Sequence, residues 1–435
     1  MHKRQDVLAV MALAWQFLRG STLLGFRIVL NWIREGRETR ASIAGKTLAE
    51  VFESLGPTYC KLGQLLSTRH DLFPAALIQE LGRLQDNLAP IPFAVVPRLF
   101  QEELGLEIEE AFEEFQSTPI ASASIASVYR AQTHAGKEVA VKVCRPEIAG
   151  RIECDLRVLR WAAQMLERLP ALRPIPLRAI LDEFGRCLER QVDFRLEAAA
   201  HRRLRSALSW QPNIVVPALV EELCSRSILT MEFVEGLREA RELSAENARK
   251  ALLAAFRALY RMIFVEGVIH CDLHQGNLHF LPDGRAVLLD FGFVADFGRS
   301  DRLTFAQFFY AMAVNDGAHC AQLTLEAAAS VPNDLDYDAF EDKVVQLVQR
   351  VAGASAGSFH VASFVFGLFE IQRRFRIVGT TAPIMAIISL LVLEGIAKEV
   401  HAEMDFQREA LPFILQGSIT SMRPEKAANA AILSL

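Results

Sequence analysis

Cysteine is scarce in this 435-residue chain, and what there is does not pair. The seven cysteines (Cys60, Cys144, Cys154, Cys187, Cys224, Cys271 and Cys320) are scattered, odd in number and never in a C-x-x-C arrangement. That argues against a disulfide framework or a zinc site and fits a reducing compartment. Positive charge is not in excess either. With 47 Lys+Arg against 52 Asp+Glu the formal charge is -5, so no nucleic-acid partner is indicated. Long apolar runs are also missing. Residues 7–18 and 382–393 are each about 12 residues, short of the roughly 18–20 that span a bilayer, and Arg19 and Arg27 interrupt the segment around 23–33. No transmembrane helix is predicted, and no signal peptide, since no A-x-A-like site cleanly follows the first run. Internal repeats and low-complexity tracts are absent. What is there is a globular composition, 51% hydrophobic and 23% charged, on a chain too long for one ordinary core.

Charge is unevenly placed. Residues 1–40 carry Lys3, Arg4, Arg19, Arg27, Arg34, Arg37 and Arg40 against Asp6, Glu35 and Glu38, with Trp15, Phe17, Phe26 and Trp32 among them. A basic, aromatic-bearing amphipathic helix suits an anionic membrane surface; docking on the body of the protein is the alternative. The expected location is cytoplasmic and peripherally membrane-associated.

Up to residue 115 the chain reads as helical. From Phe115 short β-type runs follow at 127–133 and 138–143, joined by a glycine-containing connection at 134–137. Residues 150–210 are helical again, strand-like runs occupy 214–220 and 227–234, and 245–266 is helical. Two strand fragments, 278–280 and 286–289, flank the turn Pro282-Asp283-Gly284. Everything after Arg299 has helical periodicity. The order predicts an α+β, protein-kinase-like fold of two lobes, a small β-rich one and a helical one, behind an N-terminal helical extension. The boundaries expected are 1–40 for the basic segment, 41–112 for the extension, 113–235 for the first lobe and 236–435 for the second.

Motifs carry the chemistry. A kinase catalytic loop is H-R-D-L-x-x-x-N, in which Asp positions the attacking hydroxyl and Asn holds magnesium. Here His270-Cys271-Asp272 is followed by Asn277 at that spacing. The turn at 282–284 then folds the chain back, delivering Asp290-Phe291-Gly292, whose Asp would bind the metal bridging the phosphates of ATP. One carboxylate and one amide on adjacent strands supply oxygen ligands suited to Mg2+. Upstream, Val139-Ala140-Val141-Lys142 matches V-A-I-K, with Lys142 on the α/β phosphates and a helical glutamate to orient it. Glu197 is the expected partner, with Glu189 competing.

A kinase would cover the phosphates with G-x-G-x-x-G. This chain has Ile120, Ala121, Ser122, Ala123 and Ser124, continuing through Ile125, Ala126, Ser127 and Val128. Small side chains allow close backbone approach but not the positive φ of glycine, so a different phosphate geometry is expected. At the end of the last strand, Met231-Glu232-Phe233-Val234 offers backbone groups of Glu232 and Val234 to an adenine edge, with Gly236 permitting a turn. Gly45-Lys46-Thr47 is not a P-loop, because Arg40 stands where the first glycine is required. His270 and His274, four apart, are better explained by the catalytic loop than by zinc.

These residues resemble the UbiB-type atypical kinases, a protein-kinase-like family linked to ubiquinone biosynthesis. The resemblance runs from about residue 40 to 410 and rests on several segments. They are the K-x-G-Q motif Lys61-Leu62-Gly63-Gln64, the alanine-rich loop 121–128, the Lys142 strand, residues 270–277, Asp290-Phe291-Gly292 and the helical stretch 390–398. It implies an N-terminal extension covering the place where a protein substrate would bind, with Lys61 and Gln64 regulatory. It also implies an ATPase or a small-molecule or lipid-linked kinase. The sequence departs from the family at Gln191, where the E-x-D motif has Glu; at Ala200, where Asn is usual; and at Leu273 and Gln275, where prolines are usual.

The reading expected is a magnesium-dependent, ATP-binding kinase or ATPase. Its partners would be a lipid or quinone intermediate, quinone-biosynthetic proteins and an anionic membrane surface. Two alternatives are a nucleotide-sensing pseudokinase scaffold and a small-molecule phosphotransferase of the aminoglycoside-kinase type.

Overall fold

The computed structural model describes residues 37–84, 90–168, 177–274, 276–352, 361–400 and 406–422. Most of the basic segment 1–40, and Gln275, therefore lie outside the described residues. The chain divides into two compact units, one of residues up to 198 with 219–233, the other of 199–218 with 234–435.

The first unit opens with the helices Arg37–Leu55, Pro57–Ser67 and Ala75–Leu81. Gly56, at φ +111, turns the chain between the first two, and Pro57 starts the second at the position where its missing N–H is no loss. The helix Val96–Leu104 and the short turn Ile108–Ala111 lead into a sheet. Its strands are β1 (Phe112–Phe115), β2 (Ala121–Ser122), β3 (Ala126–Thr133), β4 (Glu138–Cys144) and, after three more helical segments, β6 (Ile228–Glu232). The order is β1-β3-β4-β6, all antiparallel, with β2 also paired to β3.

β1 begins three residues before the texture change seen in the sequence. A bulge between Phe112 and Glu114 shifts its register. Two phenylalanines three apart would face opposite sides of a regular strand; the bulge brings Phe112 and Phe115 to within 5.4 Å, in a cluster with Phe100 and Tyr129.

β4 shows the strand period plainly. Val139, Val141 and Val143 are buried in one core with Phe100, Phe112, Tyr129 and Ile228. Ala140 and Cys144 are buried in another, with Leu229 and Met231. That second core is completed by the helices Ile148–Leu166 and Leu177–Gln191 and by Phe52, Leu55, Tyr59, Leu62, Leu81 and Leu84 of the N-terminal region. The helical extension and the sheet thus share one hydrophobic interior.

The second unit holds β5 (Ile214–Val215), parallel to β9 (Ala286–Leu288), which is antiparallel to β8 (Leu278–Phe280). Only two residues of the expected strand 214–220 are in this sheet; Leu219 bridges instead to Met231 in the first unit's sheet region. A single alternating run is thereby divided between two pairings. The strands β7 (Val268–His270) and β10 (Val294–Asp296) form an antiparallel pair. Around them pack the helices Ala245–Tyr260, Arg299–Ala313, Gly317–Glu326, Tyr337–Ala352, Val361–Arg374, Thr381–Glu399 and Phe406–Met422. The region after Arg299 is not wholly helical: β11 (Ala328–Ser330) pairs with β12 (Val378–Gly379) across a long loop closure. Two- and three-residue strands have no periodicity of their own to read.

Among the described residues one helix, Thr381–Glu399, is long and apolar enough to cross a membrane by length and composition. The 12-residue apolar run continues as helix through Glu394 and Lys398, which pair at 2.9 Å. Half of its apolar window is buried within the protein, and Ser389 donates to the carbonyl of His270 at 2.7 Å.

Candidate active site

In the first unit, Lys142 lies on the same face of β4 as Ala140 and Cys144. Its Nζ is 2.8 and 2.9 Å from the two carboxylate oxygens of Glu197, and it sits 5.1 Å from the Phe194 ring centroid. The helix Phe194–Leu208 supplies both partners, and its start is anchored where Phe194 N–H donates to the Arg226 carbonyl. Glu197 is buried, whereas Glu189 is exposed on the preceding helix. Asp193 is engaged by its neighbour: both its oxygens accept from the Arg195 guanidinium, at 2.9 and 2.6 Å, which holds its carboxyl below the usual range.

The alanine-rich segment is a tight hairpin. Ala121 and Ser122 pair with Val128 and Ser127, and Ala123 N–H donates to the Ala126 carbonyl at 2.8 Å. No residue between Ile120 and Val128 has positive φ, so the turn is made without the conformation that alanine disfavours. Arg145 fastens it, donating to the Ala123 carbonyl at 3.0 Å and to Ser122 Oγ at 2.9 Å. Arg145 was not among the residues singled out from sequence. Its signal was its place just beyond the lysine strand, and burial draws its guanidinium below its ordinary value. Ser127 is fully buried, its Oγ accepting from Ile91 N–H. Glu232 closes β6 opposite Val139, and the division between the units falls between Phe233 and Val234.

On the K-x-G-Q helix, Gln64 Nε2 donates to the Leu84 carbonyl at 3.1 Å, and Gly63 leaves no room for a side chain, since a Cβ there would strike Leu84 and Phe52.

In the second unit two backbone bonds frame the other motifs. Cys271 N–H donates to the Phe293 carbonyl at 2.9 Å, and Leu289 N–H to the Asn277 carbonyl at 2.8 Å. Between those ties, Asp290-Phe291-Gly292 lies beside the 271–277 loop. The β8–β9 hairpin, turning at Gly284 with φ +83, brings this about. Asp290 has φ +55, the left-handed region that non-glycine residues enter at a cost. Its Oδ1 accepts from Gly292 N–H at 3.0 Å, an Asx turn that offsets the strain.

Asn277 Nδ2 donates to the Asp272 carbonyl at 2.9 Å, which leaves the amide oxygen for another ligand. His274 Nε2 is 3.6 Å from Asp272 Oδ1 and 3.2 Å from Asn277 Nδ2. His270 is buried beneath them, its ring 5.6 Å from that of Phe291, which also meets His201 edge-on at 4.8 Å. Burial lowers the His270 pKa against the opposing pull of Asp272 and Asp290, and Asp272 N–H donates to Nδ1 at 3.3 Å. Both observations describe a neutral imidazole that props the loop. Neither His201 nor this role for His270 was evident from the motif.

Among the described residues no group of three or more His, Cys, Asp or Glu could hold a metal by itself. An amide oxygen and a carboxylate fit an ion that takes its remaining ligands from phosphate and water.

A family model for the ABC1 atypical kinase-like domain matches residues 83–324, more than half of the chain. The chain belongs to that family. Among its relatives, a Synechocystis protein called uncharacterized is 31% identical over 342 residues, 75% of this chain and 84% of its own length. A Histophilus somni protein named Probable protein kinase UbiB is 29% identical over 405 residues, 89% of this chain and 73% of its own. A Mycobacterium tuberculosis protein solved in complex with erythromycin shares the fold, with a TM-score of 0.58 and 23% identity over 85% of this chain and 95% of that one. The fold of this ABC1 chain is accordingly kinase-like and α+β, with a helical extension ahead of the first sheet.

Proposed function

We propose that the chain is a magnesium-dependent, ATP-binding atypical kinase or ATPase that supports the biosynthesis of ubiquinone, or of a related isoprenoid quinone or lipid, at a membrane surface. The observation that carries this reading is the Lys142–Glu197 ion pair, 2.8 Å long and nearly closed to solvent. A charged lysine fixed by a buried carboxylate on a central strand is what α/β-phosphate recognition requires. Lys142 holds those phosphates and Glu197 orients it. Residues 120–128 cover the nucleotide, and the backbone of Glu232 and Val234 receives the adenine. Asn277 and Asp290 hold magnesium, which when bound neutralises phosphate oxygens, and Asp272 orients the attacking group. Lys61 and Gln64 regulate access from the extension. The curated relatives named UbiB support the quinone assignment. The basic segment 1–40 supports membrane association.

Lys142→Ala and Asp290→Asn are the test. Both are expected to abolish magnesium-dependent ATP hydrolysis, while undiminished hydrolysis by both variants refutes the assignment. A pseudokinase scaffold is favoured by Gln191 and the alanine-rich hairpin. Nucleotide binding without turnover, even with anionic vesicles, selects it.

A further inference from the structure

The hairpin proposed to cover the phosphates has little hold of its own. β2 is two residues long, pairs with β3 alone at the side of the sheet, and leaves Ala121 and Ala123 exposed. A pairing so short is marginal without outside support. That support comes from Arg145. Its side chain donates to the Ala123 carbonyl at 3.0 Å and to Ser122 Oγ at 2.9 Å, and its N–H donates to the Ile125 carbonyl at 2.8 Å. One residue grips the hairpin at three points.

Beyond Ser122 the hydrogen bonds run in one direction only. A guanidinium can only donate, so Ser122 Oγ accepts from it. Tyr129 Oη gives its proton to the Ile91 carbonyl at 3.2 Å, and Ser127 supplies it with a hydrogen bond that tempers the rise burial imposes on the phenol. Ser127 has one proton, so at the 3.1 Å contact between Ser122 Oγ and Ser127 Oγ it is Ser122 that donates. Ile91 N–H donates back to Ser127 Oγ at 3.3 Å. The guanidinium therefore heads a chain through Ser122, Ser127 and Tyr129 to Ile91, and the last three are buried. A buried polar network with its members satisfied rigidifies the structure around it.

We propose that Arg145 is a positioning residue for the nucleotide, holding the 121–127 hairpin in the conformation that covers the phosphates. It acts through Ser122 and the Ala123 carbonyl, not by touching the phosphates. The proposal rests on the nucleotide reading above and adds to it the residue that makes the alanine-rich cover rigid.

The test compares the full-length parent with Arg145→Gln, Ser122→Ala and the double variant, by ATP titration calorimetry and magnesium-dependent hydrolysis. Arg145→Gln keeps one donor and loses the fork. Each single variant should weaken ATP binding about tenfold and raise KM in step, with kcat within about twofold, the scale and pattern of one lost charge-assisted hydrogen bond. The double variant should bind no worse than Arg145→Gln alone, because both changes break the same link. Amide hydrogen exchange should quicken at residues 121–127 in Arg145→Gln and not across the rest of the sheet. Should Arg145→Gln fail to fold, Ser122→Ala carries the same expectations, exchange included. Unchanged ATP binding by a folded Arg145→Gln overturns the proposal. So do additive losses in the double variant, which put the guanidinium on the phosphates directly. A parent that binds no ATP overturns the nucleotide reading and this proposal with it, and that failure is told apart because it lies in the parent.

Discussion

Replacing Glu197 by alanine strips the partner from a lysine whose side chain is only 11% exposed. Removing one member of a buried ion pair costs about 3–5 kcal/mol, because the survivor keeps its charge out of water. Two features place Glu197→Ala at the lower end, about 3 kcal/mol. Lys142 retains the Phe194 ring at 5.1 Å, and its small remaining exposure admits some hydration. For a chain of this size, with about 2.1 cal/mol/K of unfolding entropy per residue, that is a fall in Tm of roughly 3 °C. Lys142→Met combined with Glu197→Leu removes both charges and should recover most of the loss, giving a large coupling in a double-mutant cycle. The assay is urea denaturation followed by circular dichroism on the parent, both single variants and the double variant. A Glu197→Ala cost below about 1 kcal/mol, typical of exposed pairs, would refute the reasoning. So would strict additivity around the cycle. The recovered double variant also separates stability from function, since it should fold and still fail to bind nucleotide.

Three further outcomes are expected. Asp290→Asn should retain the Asx turn and tolerate φ +55, so its stability should stay within about 1 kcal/mol of the parent while hydrolysis is lost; unfolding of that variant would contradict the geometry. Asp155 is 3% exposed and burial raises its pKa, with Thr58 and Arg151 opposing. The folded state therefore favours its protonated form, so the burial penalty is present above the raised pKa and relieved as pH falls towards the ordinary carboxylate value. Asp155→Asn should then stabilise the protein at pH 7.5 and less so at pH 5, read from urea midpoints; a destabilised variant at pH 7.5 would reverse the sign. Gly63→Ala pushes a methyl into Leu84 and Phe52 and should cost about 1–3 kcal/mol in the same measurement.

Hairpins were the legible parts of the fold. β3 with β4, and β8 with β9, alternate locally and are joined by glycine-bearing turns, so residues near in sequence decide them. The β1 strand was misread as helix because its four residues depend on a bulge and on rings from elsewhere. Residues 214–220 could not be divided between two sheets from sequence, since tertiary pairing makes that choice. The helix Thr381–Glu399 outran its apolar stretch because Glu394, 1% exposed, lies 2.9 Å from the charge of Lys398 and accepts from Ala362 N–H at its other oxygen. In the candidate site, spacing pointed to Lys142, Asp272, Asn277 and Asp290. It did not reach Arg145, whose role depends on the hairpin it fastens, or His201, or the propping role of His270, since the rings of those two histidines are arranged around Phe291. The left-handed backbone at Asp290 leaves no trace in composition.

The mixed interior of the first unit has a practical consequence. Tyr59, Leu62, Leu81 and Leu84 pack in the same core as Ala140 and Cys144, the neighbours of Lys142 on its face of β4. A chain begun at residue 113 would be a sheet with one wall torn away, greasy on that side and prone to precipitate. Any change that loosens the leading helices would therefore also disturb the seat of that lysine.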